Sequence, residues 1–431
     1  MTSENKNIIA PTQELAFDAF SELRVAPLLP PQEVLLAVRE GEVPILNFKN
    51  SHQTCSMDCV YCDEIEDGGG FTPLIPDSDL EKTFEIIDRL QKKHGLKAVE
   101  FYGEGEPLSD WRLISHLIDK GLRLSLFSNG IFMTDERAEQ LTEYGAIVKL
   151  KLDALDPRIF GEILFARDPG ATQEKKVKRA EQVIAAIEKM LVAREKLGGQ
   201  VGRLVASVVV TNMNLPDRVE VEESPLGEAL RFCQENLVVP QVNFVEEAGG
   251  NRDGKCNIGE YRAGEVNQYL RELFGVDPKV LADEDCFAMF APILTTTGMI
   301  GTGPFGMGCE FPLRESVGQL GEIQFLSEPA DLQKALSKLD KFRKSRENKM
   351  AIVSELKRIQ KGEGIYRLTG TDKILPGCGA GVEENWLLAY AATLLVNEDY
   401  FQQEILPRAD NILVQKWSPE EVAELIRQIE I

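Results

Sequence analysis

Apolar residues recur along this chain with two periods, and the switching between them outlines the fold. Over residues 79–94 they fall at Leu80, Phe84, Ile87 and Leu90, one face of a helix. Further helices are predicted over 111–120, 134–144, 173–197 and 226–236, with Thr134 placed to cap its helix. Between them lie short apolar runs, predicted as strands over 43–48, 98–102, 123–127, 147–152, 203–211 and 241–245. Strands alternating with helices of this length build βαβ units on a parallel sheet. Six of them predict an α/β fold, a partial (β/α)6 TIM-like barrel over residues 43–248 rather than the closed eight-fold form.

The flanks read differently. Residues 1–42 form an N-terminal helical segment, weakly amphipathic over 13–23, broken by Pro27, Pro30 and Pro31, and resumed to residue 39. Past residue 248 a glycine-rich loop leads to a helix over 258–274, then to short strands and hairpins over 286–324. Helices are predicted again over 329–359, 383–395 and 418–429. The last has a complete start signal: Ser418 as N-cap, Pro419 at the first position, and Glu421 as capping-box partner. Residues 249–431 therefore read as an α+β extension.

Composition narrows the function classes. Of 431 residues, 43% are hydrophobic, and the net charge is −22. That charge argues against a broad nucleic-acid surface, which needs Lys and Arg patches. No apolar run reaches the length of a membrane span. The first residues carry no basic-then-apolar signal, so a cytoplasmic protein is expected. In that compartment the eight cysteines are not expected to form structural disulfides.

Three of the eight crowd together as Cys55, Cys59 and Cys62, a C-x3-C-x2-C run with Tyr61 before the last. Three thiolates on one loop can hold three irons of a [4Fe–4S] cluster and leave the fourth iron open. Structural zinc is the alternative, but it wants four ligands, and only one C-x2-C pair and His52 are at hand. A C-x3-C-x-aromatic-C loop after the first strand of a βα barrel resembles the radical S-adenosylmethionine (SAM) superfamily. The resemblance implies that SAM chelates the fourth iron, is cleaved to methionine and a 5′-deoxyadenosyl radical, and that the radical takes a hydrogen atom from substrate. It also implies a flavodoxin- or ferredoxin-type electron donor.

The strand ends continue the likeness. Gly103-Glu104-Gly105-Glu106-Pro107 resembles the family's Gly-Gly-Glu-Pro segment, with Glu104 for the first Gly, which implies contact with the SAM amino group. Ser128-Asn129-Gly130 resembles its Ser/Thr-Asn-Gly. The stretch containing Lys151 and Asp153 resembles its Ser/Lys-Leu-Asp-Ala, and Thr211 with Asn214 occupies its fifth-strand position. These residues are implied SAM contacts, with Asp153 a candidate catalytic group. Glu246 and Glu247 end the sixth strand, where a carboxylate could take a proton or meet the adenosine.

The later cysteines divide. Cys233 on a predicted helix reads as buried and inert. Cys286, Cys309 and Cys378 stand among glycines and resemble the ligands of the C-terminal extension called SPASM, or its shorter twitch form. That implies one auxiliary [4Fe–4S] cluster, with Cys256 as a possible fourth ligand; scattered core cysteines are the alternative. The Gly301-x-Gly303-x-x-Gly306 run opens no helix in a βαβ unit and is discounted as a dinucleotide site. Lys175, Lys176, Lys178 and Arg179 read as a solvated helix face.

For substrate, peptide modification (crosslink, thioether or epimerisation) is weighed slightly ahead of small-molecule dehydrogenation or rearrangement, such as that of a sugar or aminocyclitol. The stretch ahead of Cys55 is short for the winged-helix leader-binding domain of many peptide-modifying relatives, which weakens the peptide reading without removing it. A non-catalytic iron–sulfur or zinc protein is the alternative of another class.

Overall fold

The computed structural model describes residues 25, 27–49, 55, 57–59, 75–101, 105–166, 168, 170–244, 256–258, 260–275, 293–295, 299–301, 324–325, 336–337, 345–362, 382–412 and 415–429. Six strands lie side by side and parallel in the order of the chain: β1 (Ile45–Lys49), β2 (Ala98–Phe101), β3 (Arg123–Ser128), β4 (Ile147–Lys151), β5 (Leu204–Val210) and β6 (Val239–Phe244). β6 ends the sheet unpaired with β1, so the barrel is open, as the six-unit count predicts.

The helices between the strands are α2 (Asp77–His94), α3 (Trp111–Asp119), α4 (Asp135–Tyr144), α5 (Pro157–Leu164), α6 (Gln173–Leu197) and α7 (Pro225–Glu235), with α1 (Pro31–Arg39) ahead of β1. They cover one face of the sheet, where Leu46, Val99, Leu126, Val148, Leu150 and Val208 are each within 1% of full burial. Burial at about 25 cal/mol per Å² of apolar surface is what holds sheet to helices. Thr134 caps α4 as expected, accepting from the Arg137 N–H at 3.2 Å.

α5 is the helix the periodicity did not predict. Its eight residues are too few for a clear 3.6 period. It starts on local chemistry instead. Asp156 accepts from the Arg158 N–H at 2.7 Å, and Pro157 occupies the first turn, where a missing N–H costs nothing.

Beyond β6 come α8 (Glu260–Phe274), β7 (Ile293–Thr295), β8 (Met299–Gly301) and β9 (Gln324–Phe325). β7 pairs parallel to β1, and β8 and β9 follow antiparallel, so the extension adds strands to the free edge of the barrel sheet. α9 (Arg346–Gln360), α10 (Val382–Leu394) and α11 (Pro419–Gln428) complete the chain. Within the stretch read as helical over 329–359, α9 starts at Arg346. The capping box at Ser418 and Glu421 is present in both directions.

The C-terminal helices share the barrel's apolar core. Arg39, at the end of α1, clasps them. Its guanidinium donates to Thr393 O (2.7 Å), Val396 O (3.0 Å) and Glu398 Oε2 (2.6 Å), and lies 4.5 Å over the Phe401 ring.

Candidate functional site

The site is built at the C-terminal ends of the strands. Cys55 and Cys59 follow β1, are partly buried, and rest on an apolar bed. That bed is Met57, Ala154, Phe160, Leu164, Phe165 and Val183, drawn from the cysteine loop, the end of β4, and helices α5 and α6. The loop is tied down by the Asp58 N–H, which donates to Leu164 O at 2.9 Å. The short helix α5 is thus the floor under the cysteines.

From the other side Asn129, just past β3, donates through Nδ2 to Cys55 Sγ at 3.6 Å. Asn129 is held by its remaining polar groups. Its N–H donates to Glu106 Oε2 (2.7 Å), and its Oδ1 accepts from the Ile131 N–H (3.0 Å). Glu106 is 1% exposed. Its Oε1 accepts from Ser128 Oγ (2.6 Å) and from the Leu108 N–H (2.9 Å), which caps the turn Pro107–Ser109. Burial pushes the Glu106 carboxyl up to about 7, against the pull of these three donors and of Arg137. Glu106 therefore reaches the cysteine through Asn129, as a brace. Gly105 beside it has φ +85° and Gly130 φ +76°, both in the left-handed region.

A second brace joins the ends of β4 and β5. Asp153 Oδ1 accepts from the Val209 N–H (2.7 Å), and Asn214 Nδ2 donates to Asp153 O (2.8 Å) and Val209 O (2.9 Å). Asn214 Oδ1 accepts from the Thr211 N–H at 2.8 Å. All three side chains are fully buried. Lys151 ends β4, partly exposed. Cys256 is partly buried near the end of β5, where its carbonyl accepts from the Asn212 N–H at 3.0 Å. Cys233 is fully buried and its thiol pushed up by burial, as an inert cysteine should be. On α6, Lys175 pairs with Asp168 and Lys176 with Glu162. Tyr61, Cys62, Gly103, Glu104, Glu246, Glu247, Cys286, Cys309 and Cys378 lie outside the described residues, as does His52.

The inner face of the sheet carries residues that the motif reading passed over. Lys149 Nζ meets Glu100 Oε1 at 3.0 Å, with both side chains under 5% exposed, and lies 4.2 Å from the Phe127 ring centroid. Ser125 Oγ donates to the same Glu100 oxygen at 3.2 Å. Strand alternation puts Asn47, Ser207, Gln241 and Asn243 on this face as well. A signal existed in the sequence: polar residues two apart inside otherwise apolar strands, as at Lys149 and Lys151 or Gln241 and Asn243.

Residues 50–194 match the family model of the Radical SAM superfamily. This segment is similar to a radical SAM domain. A tungsten-containing aldehyde ferredoxin oxidoreductase cofactor-modifying protein of Pyrococcus furiosus is 29% identical to the chain over 170 residues. The match covers 37% of this chain and spans only 42% of that relative's length. Among solved structures, anSMEcpe with bound AdoMet is similar at a TM-score of 0.45 and 14% identity, covering 89% of this chain and 98% of the other. SuiB of Streptococcus suis bound to its precursor peptide gives 0.37 and 16%, with 62% of each chain covered.

A radical SAM domain implies a [4Fe–4S] cluster and SAM, and the described residues fit them. Two thiols stand on a dry apolar bed with an amide N–H directed at one sulfur, the donor chemistry that stabilises thiolate ligands. Among the described residues no three His, Cys, Asp or Glu side chains gather into a metal site. No described helix is long and apolar enough to cross a membrane.

Proposed function

We propose that the chain is a radical SAM enzyme whose cluster is held by Cys55, Cys59 and Cys62. The observation that carries this reading is the Asn129 amide on Cys55 Sγ, fixed through Glu106 and Ser128. A bound [4Fe–4S] cluster would supply the electron that cleaves SAM to methionine and a 5′-deoxyadenosyl radical, which takes a hydrogen atom from substrate. The chain's own part is positional. Asn129 steadies the first cysteine, α5 and α6 keep water from beneath the loop, and the Asp153–Asn214 brace fixes the far rim. Cys286, Cys309 and Cys378, with Cys256, are proposed ligands of one auxiliary cluster in a twitch-like extension. An electron donor of the flavodoxin or ferredoxin type, in the cytoplasm, is the proposed reductant.

Peptide modification is the first substrate class. Modification of a small molecule or cofactor is the second, and the similarity to the cofactor-modifying protein of Pyrococcus furiosus favours it.

Anaerobic reconstitution with iron, sulfide and SAM tests the core reading. The reduced protein should form 5′-deoxyadenosine, and Cys59→Ala should form none; zinc content without iron, or an unchanged Cys59→Ala variant, refutes it. After triple Ala replacement of Cys55, Cys59 and Cys62, about four irons per chain should remain on the auxiliary cluster. Deuterium transfer from labelled peptide or small-molecule candidates into 5′-deoxyadenosine separates the substrate classes.

A further inference from the structure

The cations at the start of α6 stand close to the cysteine loop without serving it. Lys175, Lys176, Lys178 and Arg179 fall within five positions that hold no acid, in a chain of net charge −22. One side of these turns faces the loop. Ala180 and Val183 are fully buried and belong to the apolar bed on which Cys55 and Cys59 rest. Lys175, Lys178 and Arg179, at spacings of three and four, share the other side of the helix. Lys175 and Lys178 are exposed and Arg179 partly so. Lys175 Nζ stands 5.0 Å from the ring centroid of Phe165, which is itself part of the bed.

Lys175 shares its charge with Asp168 at 3.0 Å, and Lys176 with Glu162 at 2.6 Å. Lys178 and Arg179 enter no ion pair among the described residues, and Arg179 donates to the neutral Gln182 at 2.9 Å. Cations crowded on one helix face repel one another, and an acidic surface brought against them relieves that repulsion. The net negative charge of the chain repels an acidic protein elsewhere, so such a partner is steered to this face. A nucleic acid is also acidic, but three cations neutralise too few phosphates to hold one.

We infer that the face formed by Lys175, Lys178 and Arg179 docks a redox protein by an acidic patch beside its own redox centre. The inference rests on the radical SAM reading above and gives the proposed electron donor its docking face. One electron leaves the partner, which is oxidised, and the cluster on Cys55, Cys59 and Cys62 is reduced by that one electron. No bond is made or broken.

The test compares two reductants of the full-length, anaerobically reconstituted protein, with cluster reduction followed by electron paramagnetic resonance. An acidic two-cluster ferredoxin, reduced beforehand, has to dock, whereas dithionite does not. At low salt K178E/R179E should slow reduction by the ferredoxin at least tenfold and weaken its binding in calorimetry, and the gap should close as salt is raised. K178Q/R179Q removes charge without reversing it and should slow reduction less. Dithionite should reduce both variants as it does wild type. K92E/K93E makes the same charge change at exposed positions in the last turn of α2 and should leave both rates alone. A wild-type ferredoxin rate in K178E/R179E, or the same slowing in K92E/K93E, would overturn the inference. The same slowing with dithionite would also overturn it, because the residues would then act on the cluster and not on docking. If wild type takes up no iron, the radical SAM reading itself fails and takes the inference with it. The wild-type iron content tells that failure from the others.

Discussion

At the scale of single residues, the site turns on Glu106. A carboxyl raised to about 7 binds a proton in the folded chain that the unfolded chain has released above about pH 4.5. Its contribution to stability is therefore fully present below about pH 4.5 and is lost as pH rises through about 7. The loss amounts to about 3 kcal/mol across that window. Glu106→Gln cannot titrate. Its amide nitrogen also faces the Asn129 N–H and forfeits that hydrogen bond, costing about 1–3 kcal/mol at pH 5. Urea unfolding of both proteins at pH 5 and pH 8 should show wild type losing its advantage over the variant at the higher pH. A stability difference that stays constant between the two pH values would show that the three donors keep Glu106 ionised throughout.

The roles at this scale were only half legible. The sequence places Glu106, Ser128 and Asn129 at successive strand ends. It does not reveal that the carboxylate turns away from the lumen to hold the other two, because that depends on the spacing of β2 and β3.

At the scale of elements, the turn from β3 into α4 and the helix beneath it are coupled. Gly130 has φ +76°, and a Cβ placed there would meet Ala186 Cβ of α6 at 2.6 Å. Gly130→Ala is expected to cost about 2–4 kcal/mol, from left-handed strain plus overpacking. Adding Ala186→Gly should recover the steric part and leave the backbone strain. Unfolding midpoints of the single and double variants check this, and a double variant no better than the single would contradict it. Most elements here were readable from periodicity, and α6 was predicted to the residue. α5 was not, because eight residues carry a start signal at Asp156-Pro157 but too little repeat.

At the scale of the whole molecule, the barrel encloses charge, and Arg39 clasps α1 to the C-terminal helices. Removing one member of the buried Lys149–Glu100 pair strands the other. Lys149→Met should cost about 3–5 kcal/mol, whereas Lys149→Met with Glu100→Leu should be close to neutral. Equal losses in the single and double variants would mean that the pair is not an energetic unit. Both are read by denaturant unfolding against wild type.

The sequence by itself determined the alternation of strands and helices, the open six-unit sheet and the cysteine loop. These are set by periods and spacings a few residues long, which local sterics and apolar burial enforce. Tertiary structure alone decided which polar groups meet. It made Glu106 a brace for Asn129, set α5 under the cysteines, laid β7 beside β1 and brought Lys149 to Glu100. Those pairings join residues tens to hundreds of positions apart. They are fixed by strand register and sheet closure, which no single segment encodes.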